Sequence, residues 1–203
     1  NTLEVYANDS AGNIGGDSVT FTLDQTPPTI TLNSPVNNYN SSSQTIDFQF
    51  TATDNLASTL NCILYINNIP SGSNNTVNNN TLTTITNSSV QVGSNTWYVN
   101  CTDAAPNTGQ SLPRTVNVDT TNPTVTITYP TATTYYNITY FNFTLSEPAD
   151  TCWYNLNSGG NTTFPCDNET AITGQEGSNT LEVYANDSAG NIGGDSVTFT
   201  LDQ

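Results

Sequence analysis

Apolar residues in this chain alternate with polar ones at a period of two, in short runs. Phe48, Phe50 and Ala52 share one face of the run Ile46–Thr53, and Phe141, Phe143 and Leu145 share one face of 139–146. Trp97, Val99 and Cys101 fall together within 96–101, as do Leu181, Val183 and Ala185 in a matching run further on. A period of two puts alternate side chains on opposite faces of a strand, so each run is predicted to be a half-buried β-strand. Other predicted strands are 29–32 and 124–127, a third strand carrying Cys62, Leu64 and Ile66, and its counterpart with Cys152, Tyr154 and Leu156. A weak strand at 82–85 and closing strands at 115–118 and 197–201 complete the set. The Asn-rich stretches 74–80 and 158–161 read as connections.

The strand pattern repeats. Residues 1–25, NTLEVYANDSAGNIGGDSVTFTLDQ, recur without a change at 179–203. The stretch between is itself double: GSNTWYVNCTDAAPN at 93–107 aligns without a gap on GSNTLEVYANDSAGN at 177–191, and TPPTITLNSP at 26–35 on TNPTVTITYP at 121–130. The expected organisation is a window on a tandem array. It holds a domain at 26–119, a related domain at 120–203, and at 1–25 the last two strands of a preceding domain of the second kind.

Composition narrows the class. The net charge is −16, with one Lys or Arg (Arg114) and no His. Nucleic acid needs a positive footprint, so it is excluded as a partner. An anionic membrane surface is excluded for the same reason. No apolar run approaches the roughly 18 residues of a membrane span, and the first residues do not read as a signal peptide. Lys and Met are absent, so helix formers are scarce, while β-branched and aromatic residues dominate the apolar part. The fold expected is all-β: antiparallel sandwiches of about seven strands each. Disorder is the competing reading of such a polar chain, and the alternating apolar runs oppose it.

TPPTITLNSP leading into a domain, and YANDSAGN followed by VTFTLD closing it, resemble the tandem immunoglobulin-like repeats of archaeal and bacterial cell-surface and filament proteins. CILYIN followed by NTWYVNCTDAAPN is similar to a disulfide-bearing member of that group. The resemblance implies an extracellular or cell-surface location and a structural or adhesive role.

The four cysteines fit that setting. Cys62 and Cys152 occupy equivalent third-strand positions, but the equivalent of Cys101 is Ala185. The expected bridges are therefore Cys62–Cys101 across the sandwich and Cys152–Cys166 closing a local loop. Asn-x-Ser/Thr sequons stand at Asn8, Asn40, Asn74, Asn79, Asn87, Asn100, Asn137, Asn142, Asn161, Asn168 and Asn186. In a chain so rich in Asn, Ser and Thr their number decides little. Asn100, Asn142 and Asn186 fall on the outward phase of their strands, where a covalent glycan fits.

In immunoglobulin-like tandems the entering linker passes two loops at one end of the sandwich. Here those places carry Asp24, Asp54 and Asp103 in one domain and Asp119, Glu147 and Asp187 in the other. Several carboxylates gathered together suit calcium; Asp as a turn cap is the other reading. Outward-facing Trp153 reads as cover for an edge or domain contact, or as a platform for a sugar.

With no His and no Lys, the usual Ser–His–Asp, Cys–His and Ser–Lys arrangements are missing, so no enzyme is expected. The expected function is a glycosylated extracellular filament or stalk, partnered by neighbouring copies of itself. The alternative is an adhesin or carbohydrate-binding protein carried on such a stalk. The linkers LDQTPPT and VDTTNPT leave little slack, and their prolines favour an extended passage.

Overall fold

The computed structural model describes residues 1–203 and contains nineteen strands and no helix. β1 (Thr2–Asn8) and β2 (Ile14–Thr20) form a two-stranded antiparallel sheet. β3 (Thr29–Ser34), β4 (Tyr39–Ser41), β5 (Ile46–Thr53), β6 (Thr59–Ile66), β7 (Ile69–Asn78), β8 (Thr81–Asn87), β9 (Gly93–Thr102), β10 (Thr108–Gln110) and β11 (Arg114–Val118) build the first sandwich. Its sheets run β3-β5-β8 and β4-β11-β9-β6-β7, with β10 also on β9. β12 (Val125–Tyr129), β13 (Thr134–Tyr135), β14 (Tyr140–Leu145), β15 (Thr151–Leu156), β16 (Thr162–Phe164), β17 (Thr170–Ala171), β18 (Gly177–Asn186) and β19 (Ile192–Leu201) build the second. Its sheets, β12-β14-β17 and β13-β19-β18-β15-β16, repeat the first plan. A three-stranded sheet facing a larger one is the two-sheet plan of an immunoglobulin or fibronectin III-like sandwich.

The alternation sets the cores. Phe48, Phe50, Ala52, Trp97, Val99, Cys62 and Leu64 are all fully enclosed in the first sandwich. The Phe48 and Trp97 rings meet across the sheets, their centroids 4.9 Å apart. In the second, Phe141, Phe143, Leu181, Val183, Ala185 and Phe199 are buried together. There the Phe164 ring stands edge-on to both Phe141 and Phe143.

Three expectations need correction. The 74–80 stretch is mostly strand, because β7 pairs with β6 from Thr59↔Asn78 to Ile66↔Ile69. It is an outer strand with two register shifts, and of its residues Val77 alone is buried, so it carries little apolar signal. The sandwiches are also not purely antiparallel, since β4 lies parallel to β11 and β13 parallel to β19. These strands are only three and two residues long, too short to show a period.

The third correction concerns the Cys62–Cys101 bridge. It is present, but it does not cross the sandwich. β6 and β9 are neighbours in one sheet, Cys62 sits directly opposite Cys101, and their Cα atoms are 4.1 Å apart. Both side chains point into the core. The Cys152–Cys166 bridge ties β15 to the loop after β16.

Arg114, the only basic side chain, lies at the start of β11. Its guanidinium donates to the carbonyls of Leu32 (2.7 Å), Pro35 (2.8 Å) and Asn33 (3.4 Å). It thereby serves backbone acceptors where β3 leaves its regular register between Leu32 and Ser34.

Candidate functional site

At one end of each sandwich a tight turn, an entering linker and an acidic pair of loops converge. The turn is built locally. Asp103 accepts hydrogen bonds from the backbone N–H groups of Ala105 (2.8 Å) and Asn107 (2.9 Å) through Oδ1, and from the Asn107 side chain (2.8 Å) through Oδ2. Asp187 does the same with Ala189 and Asn191, and so does Asp9 with Ala11 and Asn13. One Asp-x-Ala-x-Asn pattern therefore encodes one turn three times. An aspartate that satisfies its own loop's N–H groups has a strong local preference for this shape.

The asparagine then reaches outward. The Asn107 side-chain amide also donates to the carbonyl of Asp24 (3.3 Å), and that of Asn191 to the carbonyl of Asp119 (2.8 Å). Both acceptors lie in the linker that enters the same sandwich. Just beyond, the buried linker prolines Pro28 and Pro123 lie against Gly109 and Gly193. A Cβ there would stand 1.8 Å from the Pro28 carbonyl oxygen or 1.6 Å from that of Pro123. Each linker is thus seated by an asparagine clamp and a glycine that leaves room for it. Reading the sequence alone missed Asn107, Asn191, Gly109 and Gly193. The recurring spacing was there, but its second partner lies some 70 to 80 residues away.

The acidic groups gather at the same place. One carboxylate oxygen from each of Asp24, Asp54 and Asp103 lies within 4.8 Å of the others, and the same holds for Asp119, Glu147 and Asp187. Asp54 is further placed by Asn79, whose side chain donates to the carbonyls of Asp54 and Ala57 and accepts from the Asp54 N–H. Asp54 Oδ1 accepts from the N–H groups of Leu56 and Ala57. Its Oδ2 is enclosed and has no hydrogen-bond partner. The donor set is oxygen only, because the protein has no His and all four cysteines are bridged. Oxygen-only sets suit a hard divalent cation such as calcium.

Burial pushes the Asp103 and Asp187 carboxyls up, but the hydrogen bonds from Asn107 or Asn191 and the turn backbone outweigh it and hold both below the ordinary 3.8. A carboxyl lowered in the folded state adds stability above its unfolded pKa, and that stability is lost as pH falls through the folded value. The stability advantage of the natural protein over an Asn191→Ala variant is therefore expected to be full at pH 6. It should shrink as pH drops below about 3.8. Urea unfolding across pH 2.5–7 checks this, and a difference independent of pH contradicts it.

The sequons separate by environment. Asn8, Asn137, Asn161 and Asn168 are exposed. Asn40, Asn74, Asn87, Asn100, Asn142 and Asn186 are half-buried. Asn79 is committed to Asp54 and Ala57, and the Asn87 side-chain amide donates to the carbonyl of Ser71. Asn142 and Asn168 accept backbone N–H groups from Glu169 and Phe143 through their side-chain carbonyls. Trp153 stacks on Tyr184 across β15 and β18, with centroids 5.7 Å apart and planes 13° off parallel, and is half-buried.

No family model matches the chain, and no curated protein matches it. Solved structures match it by shape. Fibronectin(III)-like modules of Clostridium thermocellum CbhA superpose with a TM-score of 0.52 at 18% identity, over 86% of this chain and 95% of theirs. A C-terminal fragment of intimin, solved with the intimin-binding domain of its translocated receptor, gives 0.48 at 10% identity, over 86% of this chain and 64% of that one. A bacterial ice-binding adhesin gives 0.47 at 21% identity, over 89% and 67%. At this identity the first of these establishes the fold, immunoglobulin or fibronectin III-like, and nothing about activity.

Proposed function

We propose that this chain is a stretch of an extracellular, surface-displayed stalk or filament, made of tandem immunoglobulin-like sandwiches and carrying N-linked glycans on exposed loops. The observation that carries the reading is the clamp found twice: Asn107 and Gly109 hold the linker at Asp24 and Pro28, and Asn191 and Gly193 hold it at Asp119 and Pro123. A linker fixed on the sandwich it enters has little slack, which is what a load-bearing rod requires. Four cysteines in two bridges support an oxidising compartment. The exposed Asn137, Asn161 and Asn168, which lie between strands, are the first sites to examine for glycan. The partners are neighbouring copies in a fibre.

Surface biotinylation of intact source cells, followed by glycopeptide mass spectrometry and negative-stain imaging of the shed material, tests the reading. Labelled, glycosylated, uniform fibres are expected. A protein protected from the label, with free thiols and unmodified asparagines, overturns it. Single stalks with a terminal head would assign it instead to an adhesin.

The two triads are assigned calcium within this reading. Three carboxylates this close repel one another without a cation, and the enclosed Asp54 Oδ2 lacks any donor from the protein. A site loaded at one hundred times its Kd stabilises the fold by about 2.7 kcal/mol. Adding EGTA to calcium-loaded protein should therefore lower its Tm, and an Asp103→Asn, Asp187→Asn double variant should abolish the response. An unchanged Tm on chelation removes calcium from the account.

A further inference from the structure

The same twenty-five residues occur twice in this chain, and only one copy has a core around it. The hairpin β1–β2 has the register of its twin: Thr2↔Thr20 through Asn8↔Ile14 reproduces Thr180↔Thr198 through Asn186↔Ile192 pair for pair. On the outer face, Tyr6 covers Gly16 as Tyr184 covers Gly194. The conformation is the same, but the surroundings differ. Val183 and Phe199 are 0% and 1% exposed, whereas Val5 and Phe21 are 61% and 49% exposed. Leu3, Val5, Ala7, Phe21 and Leu23 together present an uncovered apolar face, and an isolated hairpin is marginal in water.

The twin shows what covers such a face. β18 pairs on its outer edge with β15, placing Leu181 opposite Leu156 and Ala185 opposite Cys152. β19 pairs on its other edge with β13, at Thr134↔Thr200. Phe141, Phe143 and Cys152 then close the core over Leu181, Val183 and Phe199. All of these covering groups come from residues 120–178, immediately ahead of the hairpin.

We propose that residues 1–25 are the closing hairpin of a further sandwich, whose other strands are a copy of the 120–178 sequence joined in the same polypeptide ahead of Asn1. In that sandwich β1 pairs with the copy of Thr151–Leu156 so that Leu3 lies opposite the copy of Leu156 and Ala7 opposite the copy of Cys152. A separate molecule is a poor source for this seat. Its own residues 179–203 already fill it, and exchanging one hairpin for an identical one leaves as much apolar surface uncovered as before. The inference rests on the paired copies and is independent of the extracellular reading.

The test compares the 1–203 chain with a polypeptide in which residues 120–178 precede Asn1. In both, Val5→Cys is introduced and its reaction with a bulky maleimide is timed under native conditions after the disulfides have formed. Labelling is expected to be slowed by at least about 100-fold in the extended polypeptide, because it then waits on opening of a packed core. Labelling at the same rate in both overturns the proposal. So does labelling of the 1–203 chain that slows as concentration rises while light scattering reports larger species, which gives the seat to a second molecule. A second measurement needs no cysteine. Amides of Val5 and Phe21 should exchange rapidly in 1–203 and become as protected as those of Val183 and Phe199 in the extended polypeptide. Equal, rapid exchange in both proteins overturns the proposal.

Discussion

Replacing Gly193 by valine is expected to destabilise the second sandwich by about 3 kcal/mol or more, at the upper end for overpacking a filled site. In the 1–203 polypeptide, where no copy of Pro123 stands over Gly15, the same replacement at Gly15 should change stability by no more than about 0.5 kcal/mol, the usual range at an unconstrained surface position. The two glycines have identical sequence neighbours for many residues on either side. A Cβ at Gly15 meets nothing within 4 Å, whereas one at Gly193 falls 1.6 Å from the Pro123 carbonyl oxygen. That contact is with backbone, so no side-chain rotation relieves it. The linker must lift, exposing buried Pro123 and pulling the Asp119 carbonyl from Asn191. Strand propensity acts in the opposite direction, since valine suits a strand better than glycine. A loss at 193 would therefore report the close approach and not a strand preference. Scanning calorimetry should show one transition falling by more than about 10 °C for Gly193→Val. Equal behaviour at 15 and 193 in the 1–203 polypeptide would refute the account.

Removing the Cys62–Cys101 bridge as a Cys62→Ala, Cys101→Ala pair is expected to cost about 4 kcal/mol, from chain entropy alone for a loop of this length. The sequence separation is 39, against 14 for Cys152–Cys166, for which the same reasoning gives about 3 kcal/mol. Alanine is sterically acceptable at this place, since the second sandwich carries Ala185 opposite Cys152 in the corresponding pair. The loss at 62 and 101 should thus reflect the missing bridge and the thin cavity left by two sulfur atoms. Chemical denaturation of the double variant measures it. A midpoint within error of the natural protein would show that the bridge contributes little beyond what the cross-strand pairing already fixes.

The inward faces were legible in the sequence because alternation is a local property. Ile46–Thr53 was read with its correct face and bounds, and Phe48, Phe50 and Ala52 are fully enclosed. β7 was not legible, because an outer strand with one buried residue and two register shifts has no period to detect. The cysteine pairing followed from comparing the two domains, but its place within a single sheet did not. That depended on β6 and β9 being neighbours, a matter of topology. The acidic triads were legible as positions. The clamp beside them was not, because Asn107 and Asp24 meet only when the chain returns after 83 residues.

The twin segments divide the two sources of information most sharply. Sequence by itself determined the hairpin: the Asp9 and Asp187 turns close with the same hydrogen bonds, and seven cross-strand pairs agree in register. Those features depend on short-range backbone geometry and on groups a few residues apart, so identical residues give identical results. Sequence did not determine what buries Val183, or what makes a side chain at Gly193 impossible. Burial depends on which other surface arrives, and a close approach needs two partners. Only the tertiary structure, by showing which residues of 120–178 pack over Val183 and Gly193, supplied both.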